Sequence, residues 1–186
     1  MVLARRHLTL EEFLKLPEEK PALQYFEGRI TQKMAPKGRH SVLQGELVEY
    51  LNRWGRPRKI ALAFPELRTT FAGASFVPDV AVYRWERIPI DVDGEVADEF
   101  FLPPDIAVEI VSPRQSRPRL RRQCRWYVDN GVPLALLVDP SHHAVTRFEP
   151  GQPERLLRGA DVVDCTAIVP GARLTVDELF ACLRLE

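Results

Sequence analysis

The spacing of apolar residues along the chain, together with capping and turn residues, predicts four helices separated by strands. One stripe at helical spacing consists of Leu43, Leu47, Leu51 and Trp54. It predicts a helix that begins near His40, is closed by Gly55 and Pro57, and packs on a sheet. Thr9 and Glu12 have the spacing of a capping box, so a short first helix is predicted there.

Short apolar runs between turn residues predict antiparallel strands in the first half of the chain. A hairpin is predicted over residues 22–34, because Glu27 and Gly28 separate two apolar stretches and Gly28 is free to adopt a positive φ. Three consecutive antiparallel strands are predicted next, over residues 60–64, 67–71 and 76–83. A turn at residues 73–75 separates the last two. Residues 84–104 are acidic, rich in proline and without a period, which predicts a long surface loop.

The second half of the chain is predicted to contain a β-α-β unit. Residues 106–111 and 134–138 are almost entirely apolar, which is typical of strands buried on both faces, and a helix is predicted between them over residues 117–130. Short strands follow, and Thr175 caps a terminal helix. An antiparallel beginning joined to a parallel crossover predicts an α/β fold. We expect one domain over residues 1–186, with a mixed β-sheet flanked by helices.

Length and composition exclude several classes of protein. A chain of 186 residues with 45% hydrophobic and 28% charged residues is not disordered and can bury one sizeable core. No apolar run reaches the length of a membrane span, and residues 1–10 are basic without a following apolar block, so no membrane association and a cytoplasmic location are expected. Three widely spaced cysteines predict neither a disulfide framework nor a zinc site.

The numbers of basic and acidic residues are equal, but these residues are unevenly distributed along the chain. There are 26 basic and 26 acidic residues, which argues against a general polyanion-binding protein. Six arginines nevertheless lie close together: Arg114, Arg117, Arg119, Arg121, Arg122 and Arg125. Acidic residues gather in the loop at residues 91–99. The arginines can contact nucleic-acid phosphates, or they can pair with the acidic loop within the chain or across a subunit boundary.

Two carboxylates in apolar strands are the strongest candidates for chemistry. Glu109 lies in the middle of residues 106–111, where both faces of the strand are predicted to be buried. A buried carboxylate must bind a metal, pair with a cation or keep its proton, and a salt bridge or an exposed strand end would be the structural explanation. Asp79 follows Pro78 within another apolar run, where Pro-Asp alone would indicate a turn. Acids on neighbouring strands can converge on Mg²⁺.

The order of these motifs is similar to that of a known family. Residues 77–80 contain Pro78-Asp79, residues 107–113 contain Glu109, and an amphipathic helix precedes residues 131–140. The hairpin around Gly28 and the segment before His40 fit as well. Over about residues 9–180 the chain resembles the Uma-type restriction endonucleases of the PD-(D/E)XK nuclease superfamily. The resemblance implies a restriction-endonuclease-like fold.

The resemblance also implies a reaction and a set of site residues. Asp79 and Glu109 would hold Mg²⁺ or Mn²⁺, and a water molecule would attack a DNA phosphodiester. Gln123 stands in the position of the catalytic lysine, and Gln24 stands where the family has a glutamate. A glutamine cannot supply the charge of a lysine, so these two departures predict weakened catalysis. Two further acids, Glu46 and Glu66, are candidates to support the site, and both are also typical of surface positions.

Four residues are candidates for contacts with the substrate: His40, Arg114, Arg117 and Arg122. His40 matches a family position near the start of a helix, where a capping or surface histidine is the alternative. The arginines lie directly after the Glu109 strand, so they are predicted to lie beside the metal. DNA is the expected partner, and a homodimer is expected by analogy with nucleases that cut two strands.

Three functional hypotheses therefore remain open on the sequence. The first is a metal-dependent endonuclease with Asp79, Glu109 and Gln123 as catalytic residues. The second is a catalytically silent nuclease-fold protein that binds nucleic acid or a protein partner. The third is a domain whose buried acids form structural ion pairs only.

Overall fold

The computed structural model describes residues 8–185. Its helices are α1 (Leu10–Leu14), α2 (Gly38–Gly55), α3 (Arg117–Asp129) and α4 (Val176–Ala181). Its strands are β1 (Leu23–Phe26), β2 (Arg29–Gln32), β3 (Ala61–Pro65), β4 (Thr69–Phe71), β5 (Ala74–Phe76), β6 (Val80–Arg84), β7 (Ile106–Ile110), β8 (Leu134–Asp139), β9 (Ala144–Phe148), β10 (Arg155–Arg158), β11 (Val162–Asp164) and β12 (Arg173–Thr175). The basic residues Arg5, Arg6 and His7 of the N-terminal segment lie outside the described part of the chain.

A six-stranded mixed sheet forms the centre of the fold, in the order β10-β9-β8-β7-β6-β3. The pair of β7 and β8 is the only parallel pair of neighbouring strands in this sheet, and α3 connects them. This is the predicted β-α-β unit. The prediction of an α/β fold with a mixed sheet and flanking helices is confirmed.

A second, antiparallel sheet has the order β2-β1-β5-β4 and contains the predicted hairpin. The prediction of three consecutive antiparallel strands is wrong, because β3 pairs with β6 and the predicted strand over residues 76–83 is two strands in two sheets. β5 ends at Phe76, and β6 begins at Val80. Pro78 lies in the break, since its nitrogen has no hydrogen to donate to a neighbouring strand. The turn between β4 and β5 is tighter than predicted, with positive φ at Ala72 and Gly73.

The central sheet separates two apolar cores. On one face, the predicted leucine stripe of α2 packs with α4 against alternate residues of β6 and β7, among them Val80 and Val108. On the other face, Ala107 and Val111 pack against α3, which contributes Leu120. This alternation along β7 determines which side of the sheet each of its side chains faces.

The loop predicted over residues 84–104 contains one short 3-10 helix, Trp85–Arg87, and two isolated bridges. Phe100 from this loop is buried against Tyr83 and Phe64. The capping boxes predicted at Thr9 and Thr175 are both present. No helix within residues 8–185 combines the length and apolar character needed to cross a membrane.

Gly55 sets the distance between the end of α2 and the central sheet. A Cβ atom at this position would lie 2.5 Å from the carbonyl oxygen of Ala61 in β3. We expect Gly55→Ala to lower the free energy of unfolding by about 1–3 kcal/mol, because backbone must move to admit the methyl group. Gly45→Ala in the same helix is the control, since nothing lies within 4 Å of its added Cβ. Denaturant unfolding should show Gly45→Ala to be more stable than wild type by about 0.5–1 kcal/mol.

Candidate active site

Asp79 and Glu109 lie side by side at the junction of the two sheets. β6 and β7 are antiparallel, with Val80 opposite Val108, so Asp79 continues the register directly opposite Glu109. Opposite residues project from the same face of a sheet. That face is the one covered by α3, because Val108 belongs to the core on the other side. Both carboxylates are buried, with 2% and 3% of their surfaces exposed.

Three donors surround the carboxylate of Asp79. Lys33 Nζ lies 2.6 Å from Oδ1, and the backbone N–H of Ile110 donates to Oδ2 at 2.6 Å. His40 Nε2 lies 3.1 Å from the same Oδ2, while the Nδ1 atom of His40 is buried and has no hydrogen-bond partner among residues 8–185. Burial favours the neutral acid, but the His40 hydrogen bond and the Lys33 charge outweigh it and hold the pKa of Asp79 below its ordinary value.

Lys33 is a site residue that the sequence analysis missed. It follows the last residue of β2, its side chain is 9% exposed, and its Nζ atom also lies 3.7 Å from Glu66 Oε1. Burial disfavours its charge, but the carboxylates of Asp79 and Glu109 outweigh that effect and raise the pKa of Lys33. No periodicity or motif marks this lysine. It reaches Asp79 across 46 positions of sequence only because the hairpin folds over the sheet.

Glu109 is hydrogen bonded from α3. Gln123 Nε2 donates to Glu109 Oε1 at 2.9 Å, and the Tyr127 hydroxyl donates to the same oxygen at 2.8 Å. Burial and the neighbouring Asp79 raise the pKa of Glu109 to about 8, against the opposing effects of Lys33 and the two hydrogen bonds. Tyr127 was also missed. Its position one helical turn after Gln123 was the available signal.

Of the three supporting residues predicted from the sequence, the structure brings two to the site. Gln24 is buried, and its Nε2 atom donates to the carbonyl oxygen of Val77 at 3.4 Å. The side chain of Glu66 lies beside Lys33, and its backbone N–H donates to the carbonyl of Asp79 at 3.2 Å. The prediction for Glu46 is wrong. It lies near Cys182, at the end of α4, because this side of α2 faces α4 and away from the carboxylates.

A cavity of about 280 Å³ lies between the hairpin and α3 and opens onto Glu109. Lys33 and Gln24 line it from the hairpin, and Glu109 lines it from the sheet. The helix side and the preceding loop contribute Arg114, Ser116, Arg119 and Gln123. A neighbouring groove of about 720 Å³ shares Arg119 and Gln123 with this cavity and adds Arg29, Arg122, Arg125 and the aromatic side chains of Phe26 and Trp126.

The arginines predicted to bind substrate do not all face this cavity. Arg114 lines the cavity and Arg122 lines the groove beside it. The prediction for Arg117 is wrong. Its Nε atom lies 2.7 Å from Asp139 Oδ2, at the end of β8, so the first turn of α3 directs it to the other side of the helix.

The alternative that the arginines pair with the acidic loop within the chain is also wrong. Arg117 pairs with Asp139, and Arg121 pairs with Glu154. Arg125 donates to the backbone carbonyls of Glu149 and Gln152, which follow β9, and its guanidinium packs over the ring of Phe148. Within residues 8–185 no ion pair joins these arginines to residues 91–99. At the cavity and the groove, Arg114, Arg119 and Arg122 have no carboxylate partner within residues 8–185.

The acids at the site fit a hard divalent cation. Mg²⁺ is bound by one or two carboxylates, and waters and substrate phosphate oxygens complete its shell. Asp79 and Glu109 are such a pair, and both hydrogen bonds to Glu109 end on one oxygen, Oε1. Within residues 8–185 no group of three or more histidine, cysteine, aspartate or glutamate side chains could hold a metal ion by itself. A metal here would depend on water and substrate for most of its ligands.

Comparison with known proteins shows to which family the chain belongs. Residues 10–177 match the model of the Uma2 family, which is described as "putative restriction endonuclease". A solved structure described as a putative nuclease belonging to DUF820, from Anabaena variabilis, is 38% identical to this chain and superposes with a TM-score of 0.92. The match covers 95% of this chain and 99% of that one. No curated protein matches the chain. The chain belongs to the Uma2 family, as its motifs predicted.

Proposed function

We propose that this protein is a metal-dependent endonuclease that hydrolyses DNA phosphodiester bonds. The observation that carries the proposal is the pair of buried carboxylates at opposite register positions, Asp79 and Glu109. Glu109 lines a cavity with a basic rim, and Lys33, which contacts Asp79, lines it as well. Two buried acids placed together are costly unless cations compensate them. A site built to hold a cation and a phosphate supplies that compensation.

The reaction is the addition of water across a P–O bond. The water oxygen bonds to phosphorus, the bond from phosphorus to the leaving sugar oxygen breaks, and that oxygen takes up a proton. Mg²⁺ or Mn²⁺ bound by Asp79 and Glu109 would activate the attacking water and offset charge on the phosphate. The chain's own residues orient these carboxylates, since His40 and the Ile110 N–H fix Asp79 and Gln123 and Tyr127 fix Glu109.

DNA is the proposed substrate because the rim is rich in unpaired guanidinium groups. Arg114 and Arg119 at the cavity and Arg122 at the groove have no carboxylate partner among the described residues. Guanidinium groups bind phosphates in a bidentate manner, and each phosphate neutralised releases counterions. A homodimer is proposed on the ground that two strands need two sites.

A catalytically silent nucleic-acid-binding protein is the second candidate. The specific observation in its favour is that Gln123 and Gln24 are neutral where the family resemblance implies a lysine and a glutamate. Such a protein would bind DNA through the same arginines without turnover. The two candidates differ only in cleavage, so one assay separates them.

Wild-type protein should nick and linearise supercoiled plasmid in Mg²⁺ or Mn²⁺, and a chelator should stop it. Asp79→Asn should lower the cleavage rate by about 100-fold or more, because a metal ligand is worth several kcal/mol of transition-state stabilisation. The measurement is the rate of appearance of nicked and linear forms by gel. Circular dichroism of both proteins provides the control for folding.

Three outcomes separate the three hypotheses. Metal-dependent cutting by wild type alone supports the endonuclease. DNA binding without cutting by either folded protein supports the silent protein. If neither protein cuts or binds DNA, and metal does not change the melting temperature of wild type, the buried acids are structural ion pairs and the proposal is wrong.

Removing the rim arginines should weaken DNA binding without changing the fold. Arg119→Ala combined with Arg122→Ala should reduce the slope of log K against log salt by about 0.9 for each phosphate contact that is lost. Arg121→Ala is the matched control, because Arg121 lies on the same helix but pairs with Glu154 away from the groove. Fluorescence anisotropy over a salt series measures both. An equal effect of the control would contradict the assignment of the DNA-binding face.

A further inference from the structure

We propose that Lys33 is a catalytic residue of this chain: the hairpin supplies the lysine that α3 lacks. The inference rests on the proposed function, because a catalytic lysine requires the phosphodiester hydrolysis proposed above. In this arrangement the ammonium group enters the cavity from β2 and contacts the phosphate or the attacking water. Gln123 then keeps only the task of orienting Glu109.

The position of Lys33 fits that task. Its ammonium group lies 2.6 Å from Asp79 Oδ1 and faces the cavity that Glu109 and Gln123 also line. A lysine ammonium is a compact charge with three donors on a flexible stem, so it can hold a carboxylate, a water and a phosphate oxygen at once. Gln123 can donate a hydrogen bond but carries no charge.

Within residues 8–185, no arginine and no other lysine contacts the two carboxylates. The ion pairs of Asp79 are with Lys33 and His40, and the hydrogen bonds of Glu109 come from the neutral Gln123 and Tyr127. Arg114 and Arg119 line the same cavity from exposed positions. Lys33 is therefore the fixed positive charge at the centre of the site, and the arginines supply the charge at its rim.

The two walls of the cavity explain how the catalytic lysine can be supplied by the hairpin instead of by α3. Lys33 comes from the hairpin and Gln123 from α3, and both side chains end at the carboxylate pair. A lysine at position 123 would project from the helix wall into the same space. The ammonium group can thus be supplied from either wall, and one of the two positions is then free to be neutral.

The test moves the lysine from position 33 on the hairpin to position 123 on α3. Lys33→Gln, Gln123→Lys and the double variant are compared with wild type for plasmid cleavage, for DNA affinity in a chelator and for melting temperature. Lys15→Gln is the matched control, since it makes the same change at an exposed lysine of α1. Asp79→Asn reports separately on the proposed function.

We expect Lys33→Gln to lower the cleavage rate by about 100-fold or more, which is the usual cost of one preorganised donor at a reacting oxyanion. DNA affinity should stay within about twofold, because the rim arginines dominate phosphate binding. The double variant should return to within about tenfold of the wild-type cleavage rate. It should also recover the melting temperature that Lys33→Gln loses by leaving two buried carboxylates together.

Several outcomes would overturn the assignment of Lys33. If Lys33→Gln cuts as fast as wild type while Asp79→Asn does not, the endonuclease stands and the lysine assignment falls. If wild type is inactive and Gln123→Lys alone gains cleavage, Lys33 does not suffice. If Lys33→Gln fails to fold, the double variant decides, since a folded double variant without cleavage contradicts the swap. Inactivity of all variants overturns the proposed function together with the lysine.

Discussion

Two carboxylates buried at opposite positions of neighbouring strands are the constraint on which this structure depends. A buried ionised carboxylate is costly by roughly several kcal/mol unless it is paired, and a second one beside it adds repulsion. The surrounding elements offset that cost separately for each acid. Asp79 is held charged by Lys33 and His40. Burial and the neighbouring Asp79 raise the pKa of Glu109 to about 8, and α3 supplies neutral hydrogen bonds to this carboxyl.

The break in the chain at Pro78 makes this arrangement accessible. If β5 and β6 were one strand, Asp79 would be covered inside a continuous ladder. Because β5 leaves for the second sheet at Phe76, a space opens between the two sheets where Asp79 meets the hairpin and the first turn of α2. Apolar cores pack against both faces of the central sheet beside this space. The functional geometry is thus a consequence of where one strand ends.

The helix α3 illustrates how one element can serve packing and chemistry together. Leu120, Cys124 and the ring of Tyr127 pack on the sheet, while Gln123 and the Tyr127 hydroxyl reach Glu109. The arginines of α3 also fall into two groups. Arg119 and Arg122 face the open cavity and groove, whereas Arg121 and Arg117 are neutralised by acids on the other side. A basic patch that looks uniform in the sequence is therefore only partly available to a partner.

Local patterns determined much of this protein without tertiary information. Helix boundaries, capping boxes, the hairpin and the buried strands follow from apolar period and from turn residues, because these signals act over a few residues. The anomalous acids Asp79 and Glu109 were visible for the same reason, as charges in apolar strands.

Contacts between distant segments decided the rest. No local signal shows that one predicted strand is split between two sheets. None shows that Arg117 and Glu46 face away from the site, or that Lys33 lies beside Asp79. Each depends on how separate elements pack, and side chains far apart in sequence meet only after that packing is complete.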